Sequence, residues 1–388
     1  MRIRLPSGLL LAGASALLGL GLGLPALASS PATGTPPGST SAFPHLNHVF
    51  VIMMENTGSA TLLTPSNPTT FIRSAVTTYG FESSYYGVTH PSLPNYVAAT
   101  SGSTWGSNND NEAQATAGYF NHTSLFDEMN QAGVTWKGYM ESMPSAGYRY
   151  NFGDCTTGAN PTCTGGAGSH HALYVRRHNP FMQYPDIFNN PAQADKVVPL
   201  TQLTTDLANN AVPQFSWITP NICNDMHGGA GACPYPTTTP PTTAAQTTLY
   251  KDGDNFLKAW VTKIMSSKAW TGNSAIFVTW DEGSYQNVTP FGPKDNSGCC
   301  DSPLLPTPPA TPKTATGGTL TTSSIYGGGH VPMIVIARHG ARHATDSATT
   351  NHYSLLQTIE MNFGLPLLGN AGDTIQVHSL APLLSPKG

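Results

Sequence analysis

The chain has 388 residues, 39% of them hydrophobic and only 10% charged, with 39 Gly and 33 Pro. That length and apolar content suffice for a sizeable buried core, while the Gly, Pro and low charge exclude a coiled coil. Lys and Arg number 17 against 21 Asp and Glu, a formal charge of -4, so no broad basic field exists to recruit nucleic acid through its phosphates.

Arg2 and Arg4, an apolar run from Leu9 to Leu24 and the small-x-small end at Ala26, Leu27 and Ala28 predict a cleaved signal peptide over 1–28. A retained membrane anchor is the competing reading of that run. Residues 29–43, rich in Pro, Thr, Ser and Gly, read as a flexible leader. No later stretch is apolar and long enough to cross a bilayer, which predicts a secreted protein without stable membrane insertion once the signal is removed. Six cysteines suit an oxidising compartment. Short loops suggest the pairs Cys155 with Cys163 and Cys223 with Cys233, while the adjacent Cys299 and Cys300 either bridge each other or reach distant partners.

His48–Met54 (HVFVIMM) is a continuous apolar run of strand length, as expected for a strand buried on both faces of a parallel sheet. Similar runs at Phe215–Thr219, Ala275–Trp280 and Pro332–Ala337 alternate with helical patterns at Ser124–Gln131, Asn255–Ser266 and Tyr353–Phe363. This alternation predicts an α/β fold, a sheet covered on both faces. Pro234–Thr248 and Ser302–Ser324 are too poor in apolar residues to build a core and are expected as surface insertions in one domain spanning 44–388.

In open α/β sheets ligands bind beyond the carboxyl ends of the strands. The first run ends in Glu55 and Asn56 and a later one in Asp281 and Glu282; carboxylates brought together repel unless a cation sits among them. Alone, each pair reads more readily as a solvated strand end or a helix cap. In Thr89–Tyr96 (THPSLPNY), Ser92 precedes a helical stretch, so its hydroxyl is either a reactive group at a helix N-terminus or a simple cap. Pro220–Gly228 (PNICNDMHG) follows another strand and offers Asn221, Asp225 and His227 as ligand types.

Five segments in this order, HVFVIMMENTG, THPSLPNY, NDMHGG, WDEGS and HYSLLQTIEMNFGLP, resemble the phosphoesterase family of secreted acid phosphatases and bacterial phospholipases C, over about residues 46 to 366. The resemblance implies the alkaline phosphatase and sulfatase-like three-layer fold, a mostly parallel sheet between helices. It assigns Glu55, Asn56, Asp281 and Glu282 to a metal site, Ser92 to the nucleophile position and Asn95 to the family's Asn. It also assigns Asp225 and His227 to an Asp-Met-His segment that binds metal or assists phosphoryl transfer. Arg176, Arg177 and His178 match a basic segment suited to phosphate. His330 matches a third imidazole ligand of two-metal relatives, or an ordinary loop residue; His352 recurs in the family motif, with capping or packing as an equal explanation.

The expected activity is metal-dependent phosphate-ester hydrolysis: Ser92, its pKa lowered by a divalent ion, attacks phosphorus, and His227 or His178 protonates the leaving oxygen. Oxygen-rich ligation favours Mg, Ca or Mn, with zinc reasonable if His227 and His330 join. The long phospholipases C carry further C-terminal domains, whereas this chain continues about 20 residues past the last motif, so an acid phosphatase acting on phosphomonoesters leads, a phosphoinositide or other lipid headgroup being one substrate. Alternatives are a phospholipase C-type diesterase and a secreted calcium-binding module without catalysis.

Overall fold

The computed structural model describes residues 43–112, 114, 118–152, 172–229, 233, 243–284, 295–303 and 326–386. The expected signal peptide, nearly all of the leader, the Cys155–Cys163 pair and most of the two insertions lie outside them. Among the described residues there are ten strands: β1 His48–Met54, β2 Gly80–Glu82, β3 Tyr85–Tyr86, β4 Trp136–Met140, β5 Val197–Pro199, β6 Phe215–Thr219, β7 Ser274–Trp280, β8 Met333–Ala337, β9 Ala344–Asp346 and β10 Thr350–Asn351. Eight of them form one sheet in the order β5-β4-β6-β1-β7-β8-β2-β9, and β10 pairs with β3 separately.

The five strands from β5 to β7 are mutually parallel. β8 runs antiparallel to β7 and to β2, and β9 is parallel to β2. The fold is therefore α/β, a mixed and mostly parallel sheet flanked by helices. β1 lies inside the parallel block, between β6 and β7, because its residues from Val49 to Met54 are buried on both faces, which only a strand with neighbours on both edges and helices above and below can satisfy. The same logic places β6 and β7, buried along their whole length.

Helices Thr70–Thr78 and Thr243–Met265 pack together, as do Ser92–Ser101, Leu125–Ala132 and His352–Phe363. Leu125–Ala132 starts at a capping box in which Ser124 and Asp127 satisfy each other's backbone amides. The helix expected over Asn255–Ser266 begins twelve residues earlier, at Thr243, so the end of the expected Pro- and Thr-rich insertion is helical. Leu249, Leu257, Val261 and Ile264 are buried along its length, and this tertiary burial outweighs the modest helix propensity of the Thr residues.

Cys223 is bonded to Cys233, with an S–S distance of 2.06 Å, and Cys299 to Cys300. The former pair packs on Ala172, Val175 and Ile222. No helix among the described residues is long and apolar enough to cross a membrane.

Candidate active site

The sheet ladder continues past the ends of β6, β1 and β7. The amide of Glu55 donates to the carbonyl of Asp225 (3.0 Å) and that of Asp281 to the carbonyl of Met54 (3.0 Å), so residues from three adjacent strand ends are delivered side by side. Asn56 turns the chain away from β1 in the left-handed region, φ 41°, which Asn tolerates better than most residues. Its amide donates to Asp281 Oδ1 at 3.0 Å. Glu55, Asp225 and Asp281 are 0% exposed and Glu282 1%.

Ser92 opens the wholly buried helix Ser92–Ser101 above these ends. The cap position is Pro91, which offers no side-chain cap, so the capping explanation of Ser92 does not hold. Its Oγ donates instead to Glu55 Oε2 at 2.9 Å and lies 3.4 Å from Glu282 Oε1, while Asn56 Nδ2 donates to it at 3.4 Å. The amide of Leu93 is taken by Asp110 Oδ1 at 3.0 Å. Tyr96, one helical turn beyond Ser92 and on the same face, donates its hydroxyl to Glu55 Oε1 at 2.6 Å.

Asn95 acts at one remove. Its Oδ1 accepts from the amides of Val88 and Thr89, and its Nδ2 donates to the carbonyls of Thr89 and Pro91. Both ends of the side-chain amide are thus spent on the loop that presents Ser92.

His178 stacks on the Tyr96 ring, centroids 5.7 Å apart and planes 8° from parallel. Its Nε2 lies 3.3 Å from Glu55 Oε1 and its Nδ1 3.7 Å from Asp225 Oδ2. Neither nitrogen makes an aligned hydrogen bond. His227 follows Met226, which is left-handed at φ 82°, a strained conformation for a long side chain. Two contacts stabilise the loop: Asp225 Oδ1 accepts from the amides of His227 (2.8 Å) and Gly228 (3.3 Å), and the Met226 side chain lies against Gly253, where any Cβ would collide with it.

The two arginines separate. Arg176 is buried, bonded to the Glu112 carbonyl and paired with the Glu112 carboxylate at 3.5 Å, so the acid loop already holds the group expected to bind phosphate. Arg177 is the one whose charge reaches the site: it depresses the affinity of His178 and His227 for protons and favours ionised Asp225. His330 is engaged elsewhere, with Nε2 on the Ser83 carbonyl at 2.8 Å, its amide on Asp295 Oδ2 at 2.9 Å and its ring 5.3 Å from that of Tyr86.

Sequence reasoning passed over His90, which contacts the Glu282 carboxylate through Nδ1 and the Asp295 carbonyl through Nε2 at 2.8 Å. It lies two residues before Ser92, inside a segment already singled out. Tyr96 was missed likewise, although its spacing from Ser92 was readable.

Burial, then the neighbouring Asp281 and Asp225, hold Glu55 well above the usual carboxylate range; burial, then Glu282, does the same to Asp281. Asp225 is pushed up to about 8, first by burial. Burial lowers His227 to about 4 and His178 well below the ordinary imidazole value, with Arg177 the next cause for each. Asp225 Oδ2 and Asp281 Oδ2 are buried without a hydrogen-bond partner. Among the described residues no three His, Cys, Asp or Glu side chains are already drawn into a metal-holding group. The donor chemistry nevertheless fits a hard divalent cation: four buried carboxylates, an amide and a hydroxyl, with two carboxylate oxygens otherwise orphaned.

The chain belongs to the phosphoesterase family, whose model matches residues 63–234 and 245–366; Glu55 and Asn56 precede the matched part. The chain is similar to an acid phosphatase of Aspergillus fumigatus, 26% identical over 287 residues covering 74% of this chain and 48% of that protein. It is similar also to the phosphatidylinositol-3-phosphatase of Mycobacterium tuberculosis, 26% identical over 338 residues covering 86% of this chain and 82% of the relative. It spans about half the length of the fungal acid phosphatases it matches. Among solved structures, a phosphonate monoester hydrolase from Silicibacter pomeroyi superposes with a TM-score of 0.48 at 15% identity, over 87% of this chain and 76% of that one.

Proposed function

We propose that the protein is a secreted, metal-dependent phosphate-ester hydrolase of the acid phosphatase type that cleaves phosphomonoesters through a phosphoserine at Ser92. The observation that carries this reading is the position of the Ser92 hydroxyl, 2.9 Å from Glu55 and 3.4 Å from Glu282 at the meeting point of three strand ends. A structural cation site has no need of a buried hydroxyl at that point.

Glu55, Asn56, Asp281 and Glu282 are the residues that would hold the ion, with Asp225 beside them. A bound divalent cation supplies positive charge that lowers the pKa of a nearby hydroxyl and offsets charge developing on phosphoryl oxygens. The chain does the rest. Glu55 Oε2, the acceptor of the Ser92 hydrogen bond, takes the proton as Oγ bonds to phosphorus and the ester P–O bond breaks. Arg177 attracts the phosphoryl group, and its charge on the imidazoles is partly cancelled when a phosphate dianion arrives. That cancellation raises the proton affinity of His178 and His227 toward the range where one of them donates to the departing alkoxide. Water then cleaves the phosphoserine, with the same groups working in reverse.

The naming of the mycobacterial relative as a phosphoinositide phosphatase supports a lipid-headgroup monoester as one substrate. Export is supported by the charged, apolar and small-x-small pattern of residues 1–28 and by the bonded cysteines. The test is turnover of p-nitrophenyl phosphate and of its bis ester, with and without chelator, together with acid-quench mass spectrometry for phosphate on Ser92. Chelator-sensitive hydrolysis of the monoester and a Ser92 adduct are expected. Wild-type turnover by metal-loaded Ser92→Ala would overturn the scheme.

A further inference from the structure

We propose that His352 is a positioning residue for the Asp281–Glu282 turn: through Nε2–H it holds the main-chain carbonyl of Asp281, and through Nδ1 it is itself held by the Tyr85 hydroxyl. The inference rests on the reading of Asp281 as a cation ligand. The pairing of β7 with β8 ends at Thr279 and Met333, and that with β1 ends at Trp280 and Met54. The Asp281 amide still finds the Met54 carbonyl, but its own carbonyl has run off the ladder and is buried, a position that requires a donor.

His352 Nε2 fills it at 2.5 Å. A carbonyl only accepts, so Nε2 carries the proton and Nδ1 is the acceptor, and Nδ1 meets the Tyr85 hydroxyl at 2.9 Å. The neutral ring also suits its place at the start of the helix His352–Phe363, where a cation would oppose the helix dipole. The cap of that helix is the Asn351 side chain, which accepts from the Tyr353 amide, so capping does not account for His352.

Three features fix the imidazole. Parallel pairing of β10 with β3 sets Thr350 against Tyr85 and Asn351 against Tyr86, bringing the hydroxyl and the ring together across 267 residues of chain. Asn351 Nδ2 is anchored on the carbonyls of Cys299 and Cys300 at 3.1 Å. Gly87 lets the backbone close over the same carbonyl, since a Cβ there would stand 2.7 Å from Asp281 O and 3.0 Å from Gly328 Cα. The Asp281 backbone is thus held at its amide and its carbonyl, and its Oδ1 by Asn56, which leaves Oδ2 with a set direction. Groups that orient a ligand from behind in this way typically govern metal affinity by about 10–100-fold.

The test measures Mn(II) affinity by electron paramagnetic resonance on full-length Tyr85→Phe, His352→Gln, His352→Leu and Asp281→Asn proteins, with thermal melts of each. His352→Leu is expected to weaken Mn(II) binding by about 10–100-fold. His352→Gln, which keeps an N–H donor, should recover part of that loss, and Tyr85→Phe should cost several-fold in affinity while lowering the melting temperature only modestly, through the buried acceptor it leaves unpaired. Excess Mn(II) restores kcat in all three while KM for p-nitrophenyl phosphate stays put. Should His352→Leu fail to fold, the Tyr85→Phe result decides. Wild-type affinity in Tyr85→Phe and His352→Gln, alongside lost binding in Asp281→Asn, overturns the positioning role alone. Wild-type affinity in Asp281→Asn overturns the cation reading beneath it.

Discussion

Among the described residues, two sets of buried acids share what a search for unusual carboxylates would notice. Glu55, Asp225, Asp281 and Glu282 gather at the ends of β6, β1 and β7; Glu128 and Glu360 lie on the helices Leu125–Ala132 and His352–Phe363, and the charge of Glu128 reaches Glu360. In both groups burial is the first cause of a raised pKa: Glu128 reaches about 7 and Glu360 about 9. In both, carboxylate oxygens lack a hydrogen-bond partner. The difference lies in their neighbours. The strand-end group is met by a serine hydroxyl, an asparagine amide, two imidazoles and the reach of Arg177, whereas Glu360 has a single donor, the Leu368 amide at 3.1 Å. A buried acid marks a reaction site only when a nucleophile and compensating groups converge on it.

The sharpest way to break this comparison is to neutralise one acid in each group. Asp281→Asn should lower turnover by about three orders of magnitude, the scale of removing one member of a catalytic unit. In chelator-treated protein it should raise the melting temperature, because a repelling buried acid is gone. Glu360→Gln should leave turnover of p-nitrophenyl phosphate near wild type. If both variants lose activity alike, the distinction between the two groups fails.

Cation removal comes next in size. Chelator-treated wild-type protein should melt lower and regain its stability on addition of Mn(II), a ligand at 100 times its dissociation constant contributing about 2.7 kcal/mol. Asp281→Asn should show much less of this gain. A metal-induced rise that survives in Asp281→Asn would move the cation away from the strand ends.

Glu360 also predicts a pH dependence of opposite origin. Its folded pKa, about 9, lies above the ordinary carboxylate value of 4.5, so the folded chain keeps a proton that the unfolded chain releases. The resulting stability is complete below about pH 4.5 and declines as pH rises toward 9. Melting temperatures of the wild type should therefore fall between pH 5 and 9 more steeply than those of Glu360→Gln, and equal slopes would refute the assignment.

The smallest expected effect separates the two arginines. Arg177→Met should raise KM for a phosphomonoester several-fold with the melting temperature unchanged. Arg176→Met, which breaks the contacts with Glu112, should lower the melting temperature with less effect on KM. The reverse pattern would return the phosphate contact to Arg176.

The central strands were legible from local hydrophobicity alone. The apolar runs at β1 and β6 match the observed boundaries, and those at β7 and β8 differ by one residue, because a strand buried on both faces must be apolar throughout and stop where polarity begins. The polar residues after those runs were legible for the same reason, and so was Ser92 at a helix start. Which side chains meet was settled by packing across distant parts of the chain. Ser92 and Glu282 touch across 190 residues, and nothing local distinguishes Arg176, tied to Glu112, from its neighbour Arg177. Neither does anything local reveal that Asn95 is consumed by its own loop, that His352 serves a carbonyl rather than a cap, or that Glu128 and Glu360 are buried. Local hydrophobicity encodes where an element buries itself, but strand register and helix packing set the few ångströms that give a polar side chain its partner.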